Sequence, residues 1–139
     1  MIVERIDHIG IAVRSLDEAL EKYKTLYGLE PIKIEVLERL KTRIAFIPVG
    51  EVLVELLEPT ERGRGRIGQF LEKNGEGFHH IAYRVDDVSS IVDKLRNDGV
   101  PLRDEMPRPG ADESKIAFIA SDYTHNVLTE LVERTREVH

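Results

Sequence analysis

With 139 residues, 41% of them hydrophobic and 33% charged, the chain has the length and mixture of one soluble globular domain able to bury a core. It has no cysteine, which excludes disulfides, thiolate metal sites and thiol nucleophiles. A net charge of −6, 6% aromatics and no tryptophan argue against a nucleic-acid partner; no apolar run reaches membrane-span length and no signal peptide precedes the first strand, so a cytoplasmic address without a membrane partner is expected.

The first element, "IDHIGIAV" (6–13), reads as a strand, with β-branched Ile6, Ile9, Ile11 and Val13 and an imidazole, His8, inside it. Residues 15–28 predict a helix. Leu16, Ala19, Leu20, Tyr23, Leu26 and Tyr27 form a stripe, Ser15 and Glu18 a capping box, and Gly28 a stop. "RIAFI" (43–47) and "VLVELLE" (52–58) are the next strands. "RIGQFLEKNG" (66–75) predicts a short connecting helix closed by Asn74-Gly75. Then "HHIAYRV" (79–85) is a strand, 87–99 a helix with Val88, Ile91, Val92 and Leu95 inward and Gly99 as the stop, and "KIAFI" (115–119) and "VLTELVE" (127–133) are strands.

These elements repeat. His8 to His80 and "RIAFI" to "KIAFI" are both offset by 72 residues, and "VLVELLE" to "VLTELVE" by 75. The chain therefore reads as two tandem β-α-β-β-β modules, about 4–60 and 77–135, joined by a linker helix at about 61–76 within one domain of residues 1–139. The expected class is α+β, with one curved mixed or antiparallel sheet around a metal site.

The repeated polar positions are His8 and His80 in the first strand of each module and Glu55 and Glu130 in the last. Alternation puts Glu55 on one face with Leu53 and Leu57, and Glu130 with Leu128 and Val132, odd settings for a solvated carboxylate. If the modules pair about a pseudo-twofold axis, two imidazoles and two carboxylates converge. Two buried carboxylates repel, and one divalent cation neutralises both. The nitrogen and oxygen set suits Co²⁺, Ni²⁺, Mn²⁺, Fe²⁺ or Zn²⁺, and four protein ligands on an octahedral ion leave two positions for substrate. His79 has no repeat partner, since Asp7 stands at the equivalent position, and alternation turns it away from the side of His80; His125 and His139 read as surface.

With these residues in place, the chain resembles the vicinal oxygen chelate superfamily, which includes glyoxalase I, extradiol dioxygenases and methylmalonyl-CoA epimerases. The segments "IDHIGIAVRSLDEAL", "VELLEP" (54–59), "FLEKNGEGFHHIAYRVDD" (70–87) and "RPGADESKIAFI" (108–119) are similar to those of the epimerases. "ASDYTHNVLTEL" (120–131) departs, with Ala120-Ser121 and His125-Asn126 where that family has His-Pro and Gly-Gly pairs. The resemblance implies metal-dependent interconversion of the (R) and (S) epimers of methylmalonyl-CoA through a metal-stabilised enolate, with one divalent ion per chain, Co²⁺ favoured, and a homodimer. It implies Glu130 as one acid/base as well as ligand, and a glutamate before "IAF" as the other: Glu38 first, Glu35 second. An anionic CoA thioester substrate calls for cationic contacts. Lys41, Arg43, Arg62, Arg64 and Arg66 are the candidates, with Arg108 and Gly110 of "RPGA" capping the opening. Rival expectations are a glyoxalase I-type lyase, an extradiol dioxygenase and a non-enzymatic binding protein.

Overall fold

The structure is a computed structural model and describes residues 2–138. Its elements are β1 (Val3–Ala12), α1 (Leu16–Tyr27), β2 (Lys33–Leu37), β3 (Thr42–Val49), β4 (Val52–Pro59), α2 (Gly65–Asn74), β5 (Gly77–Val85), α3 (Val88–Asn97), β6 (Arg108–Pro109), β7 (Lys115–Ile119) and β8 (Thr129–Glu133). Short 3-10 turns lie at Glu38–Leu40, Ala111–Glu113 and Ser121–Thr124. The α+β class and the β-α-β-β-β order, twice around a linking helix, agree with the sequence expectation. The two copies differ at their second strand. β2 has five residues and β6 only two, because Pro101, Pro107 and Pro109 deplete that stretch of ladder donors. Among the described residues no helix is long and apolar enough to cross a membrane.

The chain forms two compact units whose boundaries cut across the repeat. One comprises the chain up to His8 together with His80–Glu137; the other comprises Ile9–His79 with Val138. In the first, strands run β1-β5-β8-β7-β6, with β1 contributing its residues up to His8. β5 and β8 pair in parallel, Ala82 opposite Glu130, and β8 pairs antiparallel with β7, Glu130 opposite Phe118. α3 packs Val88 and Val92 against Val85, Ala117 and Leu131 on one sheet face. The other face carries Ala82, Ile116, Phe118 and Val132.

In the second unit the order is β2-β3-β4-β1, with Ile9–Ala12 of β1. α1 lays Leu16, with Ala19, Leu20 and Tyr23 beside it, over Ala45, Ile47 and Leu56. Ser15 accepts the Glu18 N–H at 3.2 Å and Gly28 closes the helix in the left-handed region at φ 68°, as the capping pattern predicts. α3 starts at Asp87, which accepts the Ser90 N–H at 3.2 Å, and ends at Asn97, just before the expected Gly99.

The duplication carries a second capping device. Glu58 Oε2 accepts the Leu16 N–H at 2.7 Å, and Glu133 Oε1 accepts the Val88 N–H at 3.0 Å. Each is the last residue of the "VLxELxE" strand, so each module ties the positive start of its helix to its own final strand. Glu58→Ala and Glu133→Ala are each expected to cost about 1 kcal/mol in denaturant unfolding, by loss of a helix cap.

Candidate metal and catalytic centre

His8 ends the β1 portion of the first unit and His80 opens its β5 portion. They are 3% and 5% exposed, and their Nε2 atoms stand 3.0 Å apart. Glu130, the second residue of β8 and 5% exposed, brings Oε1 to 3.0 Å from His8 Nε2. The Phe118 ring lies edge-on to His80 at 5.7 Å between centroids.

What makes this cluster chemically directed is Asp7. Its carboxylate faces His8 Nδ1 at 2.7 Å. Arg84 donates to Oδ1 through Nε and Nη2 at 2.9 and 2.8 Å, and Arg134 donates to Oδ1 through Nε at 2.9 Å and to Oδ2 through Nη2 at 2.8 Å. Glu137 in turn pairs with Arg84 and with Arg5. Burial works against the charged form of Asp7, yet the bonds from His8 and Arg134 hold its carboxyl far below the usual carboxylate range. An ionised Asp7 has only lone pairs to offer, so His8 donates through Nδ1 and neutral His8 leaves Nε2 bare. That bare nitrogen points at Glu130 Oε1, which makes no well-formed hydrogen bond among the described residues. Burial pushes the Glu130 carboxyl up, but while His8 is protonated its charge, with His80 close by, outweighs burial and holds the carboxyl below its ordinary value. A lone pair and a carboxylate aimed at one point need a proton or a cation between them, and a divalent ion with nitrogen and oxygen preferences fits this donor set.

In the second unit, Glu55 sits on β4, 3% exposed, opposite Phe46 and flanked by Leu53 and Leu57. A carboxylate in such a setting needs a positive partner. The same sheet face bears Glu35, opposite Ile44, which is opposite Leu57. Glu38 instead begins the exposed 3-10 turn after β2. Strand alternation sends Glu35 to the face of Glu55, whereas Glu38 lies beyond the strand's end in solvent.

The family model of the Glyoxalase/Bleomycin resistance protein/Dioxygenase superfamily matches residues 7–118. An ethylmalonyl-CoA/methylmalonyl-CoA epimerase of Cereibacter sphaeroides is 31% identical over 94% of this chain and 98% of its own. A variant of Streptomyces coelicolor methylmalonyl-CoA epimerase in complex with 2-nitronate-propionyl-CoA superposes with TM-score 0.91 at 39% identity, covering 99% of both chains. A methylmalonyl-CoA epimerase in complex with methylmalonyl-CoA and NH4+ gives TM-score 0.90 at 39% identity, over 99% of this chain and 98% of that one. The chain belongs to the methylmalonyl-CoA epimerase family. Its fold is the vicinal oxygen chelate fold.

The other site candidates fall in varied places. Arg43 points to the helix-covered face of its sheet, opposite that of Glu55, and its guanidinium lies 3.5 Å from Asp17 and 3.6 Å from Glu58. Lys41 pairs with Glu61 at 2.6 Å. Arg62 lines a cavity of about 410 Å³ with Arg14, Pro59, Gly63, Gly68, Leu71 and Glu72, whose Oε1 is 3.5 Å from Arg62 Nε. Arg64 precedes α2 and Arg66 is in its first turn. Gly110 has a packing reason of its own: a Cβ there would meet Ile116 Cγ2 and Ser114 Oγ at 2.6 Å. His79 is buried, its ring edge-on to Phe70 at 4.9 Å, which is a packing role. His125 is exposed as expected, and His139 lies outside the described residues. His125 and Asn126, where the resemblance leads one to expect a Gly-Gly pair, both have left-handed backbone, φ 58° and 66°. The conformation that glycine makes easy is kept without glycine.

The sequence reading missed Asp7, Arg84 and Arg134. Asp7 enters the sequence reading only as the counterpart of His79 in the first module. The available signal was chemical: an aspartate beside a strand histidine, with arginines in "AYRV" and "VERTR" to neutralise it.

Proposed function

We propose that the chain is a methylmalonyl-CoA epimerase that uses one divalent ion, Co²⁺ by preference, held by His8, His80, Glu130 and the repeat-equivalent Glu55. The observation that carries this reading is the approach of His8, His80 and Glu130 within 3.0 Å contacts, with His8 oriented by Asp7. The likeness to epimerases over nearly the whole chain supports the substrate.

When bound, the ion supplies Lewis acidity to the substrate's thioester carbonyl, which lowers the cost of forming an enolate. The rest falls to side chains. Epimerisation breaks the α C–H bond on one face and forms a new one on the other, so it needs two acid/base groups. Glu130 is one: its carboxyl is held ionised and accepts the proton. Glu35 is the other, and returns a proton to the opposite face. Phe118, Ile116, Val132 and Ala82 make the ground beside Glu130 apolar, which keeps water from protonating the enolate without stereochemical control. Arg62, Arg64 and Arg66 offer cationic contacts to the CoA phosphates, with the cavity at Arg14 and Arg62 as the place for one of them.

Exchange of the α-proton with deuterated solvent, followed by NMR from each pure epimer, tests the pair of bases. Glu35→Gln is expected to slow exchange from one epimer about 10²-fold or more. Glu38→Gln is expected to leave both rates unchanged. Equal rates in Glu35→Gln and wild type would remove Glu35 from the mechanism.

A further inference from the structure

The proposed substrate carries a carboxylate on the carbon that reacts, and a negative group brought onto this sheet face meets Glu130 and an apolar surround. Arg84 and Arg134, the arginines of β5 and of the stretch after β8, are committed to Asp7. Arg108 is not. It stands on β6 opposite Ile116, in the face that continues through Phe118 to Glu130. Its guanidinium lies over the Phe118 ring, 5.8 Å from the centroid, and that ring is edge-on to His80.

The arginine is also held in a particular way. Asp104 Oδ1 is 3.1 Å from Arg108 Nε, while Asp104 Oδ2 accepts the Phe118 N–H at 2.7 Å. Asp104 thus sets a charge beside the guanidinium while bonding the strand that carries Phe118. Nη2 of Arg108 is buried and has no hydrogen-bond partner among the described residues, and Nε makes no well-formed bond even to Asp104. Buried N–H groups ordinarily find acceptors, so donors left in this state, next to a stacked aromatic ring, suit an incoming planar anion.

We infer that Arg108 is the specificity-determining residue that receives the substrate's α-carboxylate, with Asp104 and Phe118 presenting its guanidinium. This rests on the proposed epimerase reading and adds to it how the protein tells a malonyl-type thioester from an ordinary acyl thioester. It separates Arg108 from the arginines assigned to the CoA phosphates.

Calorimetric titration of the metal-loaded protein with methylmalonyl-CoA and with propionyl-CoA, which lacks only the carboxylate, tests the inference. Arg108→Met preserves the stem's length and its packing on Phe118, and Arg108→Lys preserves the charge. In Arg108→Met, affinity for methylmalonyl-CoA is expected to fall roughly 10- to 100-fold, the loss of a charge-assisted hydrogen bond. Propionyl-CoA affinity is expected to stay within about twofold, and Arg108→Lys is expected to recover part of the loss. An equal weakening of both thioesters would overturn the inference and assign Arg108 to the CoA arm or the fold; unchanged binding of both would overturn it as well. Turnover by the wild type is scored separately. Binding of methylmalonyl-CoA without turnover contradicts the epimerase reading while leaving the Arg108 comparison decisive.

Discussion

His80→Ala is expected to yield a folded chain that retains no divalent ion after dialysis and epimerises methylmalonyl-CoA about 10³-fold more slowly or worse. The imidazole is buried against Phe118 and faces His8 Nε2. Its removal deletes one of the nitrogens that converge there, and leaves Glu130 with one positive neighbour fewer. The core of the unit, built from Val85, Val88, Val92, Ala117 and Leu131, lies on the other sheet face and does not depend on it. Glu130→Gln sharpens the test, because it keeps volume and hydrogen-bonding capacity but removes the charge that both ligation and proton transfer require. Metal content by elemental analysis, turnover and thermal unfolding separate the outcomes. Loss of metal and activity with a melting temperature near that of wild type supports the centre; full turnover in either variant removes it.

Asp7 gives the second large effect. It joins His8 to two guanidiniums, and by accepting from Nδ1 it favours the His8 tautomer whose Nε2 is bare. Asp7→Asn keeps the shape but leaves one acceptor oxygen for donors from His8, Arg84 and Arg134. Divalent-metal affinity is expected to drop about 10- to 100-fold, as when a histidine ligand loses its carboxylate partner. Asp7→Ala is harsher. It strands Arg84 and Arg134 beside a buried gap and is expected to cost about 3–5 kcal/mol of stability.

The same carboxylate shapes the acid limb. The unfolded chain protonates Asp7 near about 3.9, whereas the folded chain holds that carboxyl far lower. Below the unfolded value the unfolded state binds more protons, so stability falls as pH falls, and the contribution is complete above it. Denaturant unfolding of metal-free Asp7→Asn between about pH 5 and 2 should show a flatter decline than wild type. Parallel declines would mean that Asp7 is not the group responsible.

Much of this was readable in the sequence because duplication turns weak local signals into matched pairs. A single histidine in a strand says little; His8 and His80 at one offset, with Glu55 and Glu130 in the last strand of each module, nominate a candidate ligand set. The helix ends were legible for the same chemical reasons that make them stable: Ser15 and Gly28 do what capping residues do. The paired caps at Glu58 and Glu133 were present in the repeated motif, but a carboxylate at a strand's end gives no sign of which helix it will reach.

Asp7 was not legible as a site residue: neighbours in a strand point to opposite faces, yet an adjacent aspartate and histidine can still meet through their side chains, and two arginines neutralise the buried carboxylate. The resemblance points first to Glu38, which lies in a solvent-exposed turn because β2 ends at Leu37, while Glu35 lies within β2. Sequence proximity does not reveal which sheet face Arg43 takes; its register partner Glu58 does. The short β6 reflects three prolines whose effect on pairing depends on which neighbour they face.

The most direct measurement follows a stereochemically pure sample of methylmalonyl-CoA with purified protein, first as isolated, then after chelation and dialysis, then after addition of Co²⁺. The account predicts conversion to a mixture of both epimers, cessation in the chelated sample, and recovery as one equivalent of Co²⁺ per chain is restored. Conversion that continues undiminished in thoroughly metal-depleted protein, or no conversion with any divalent ion, would contradict it.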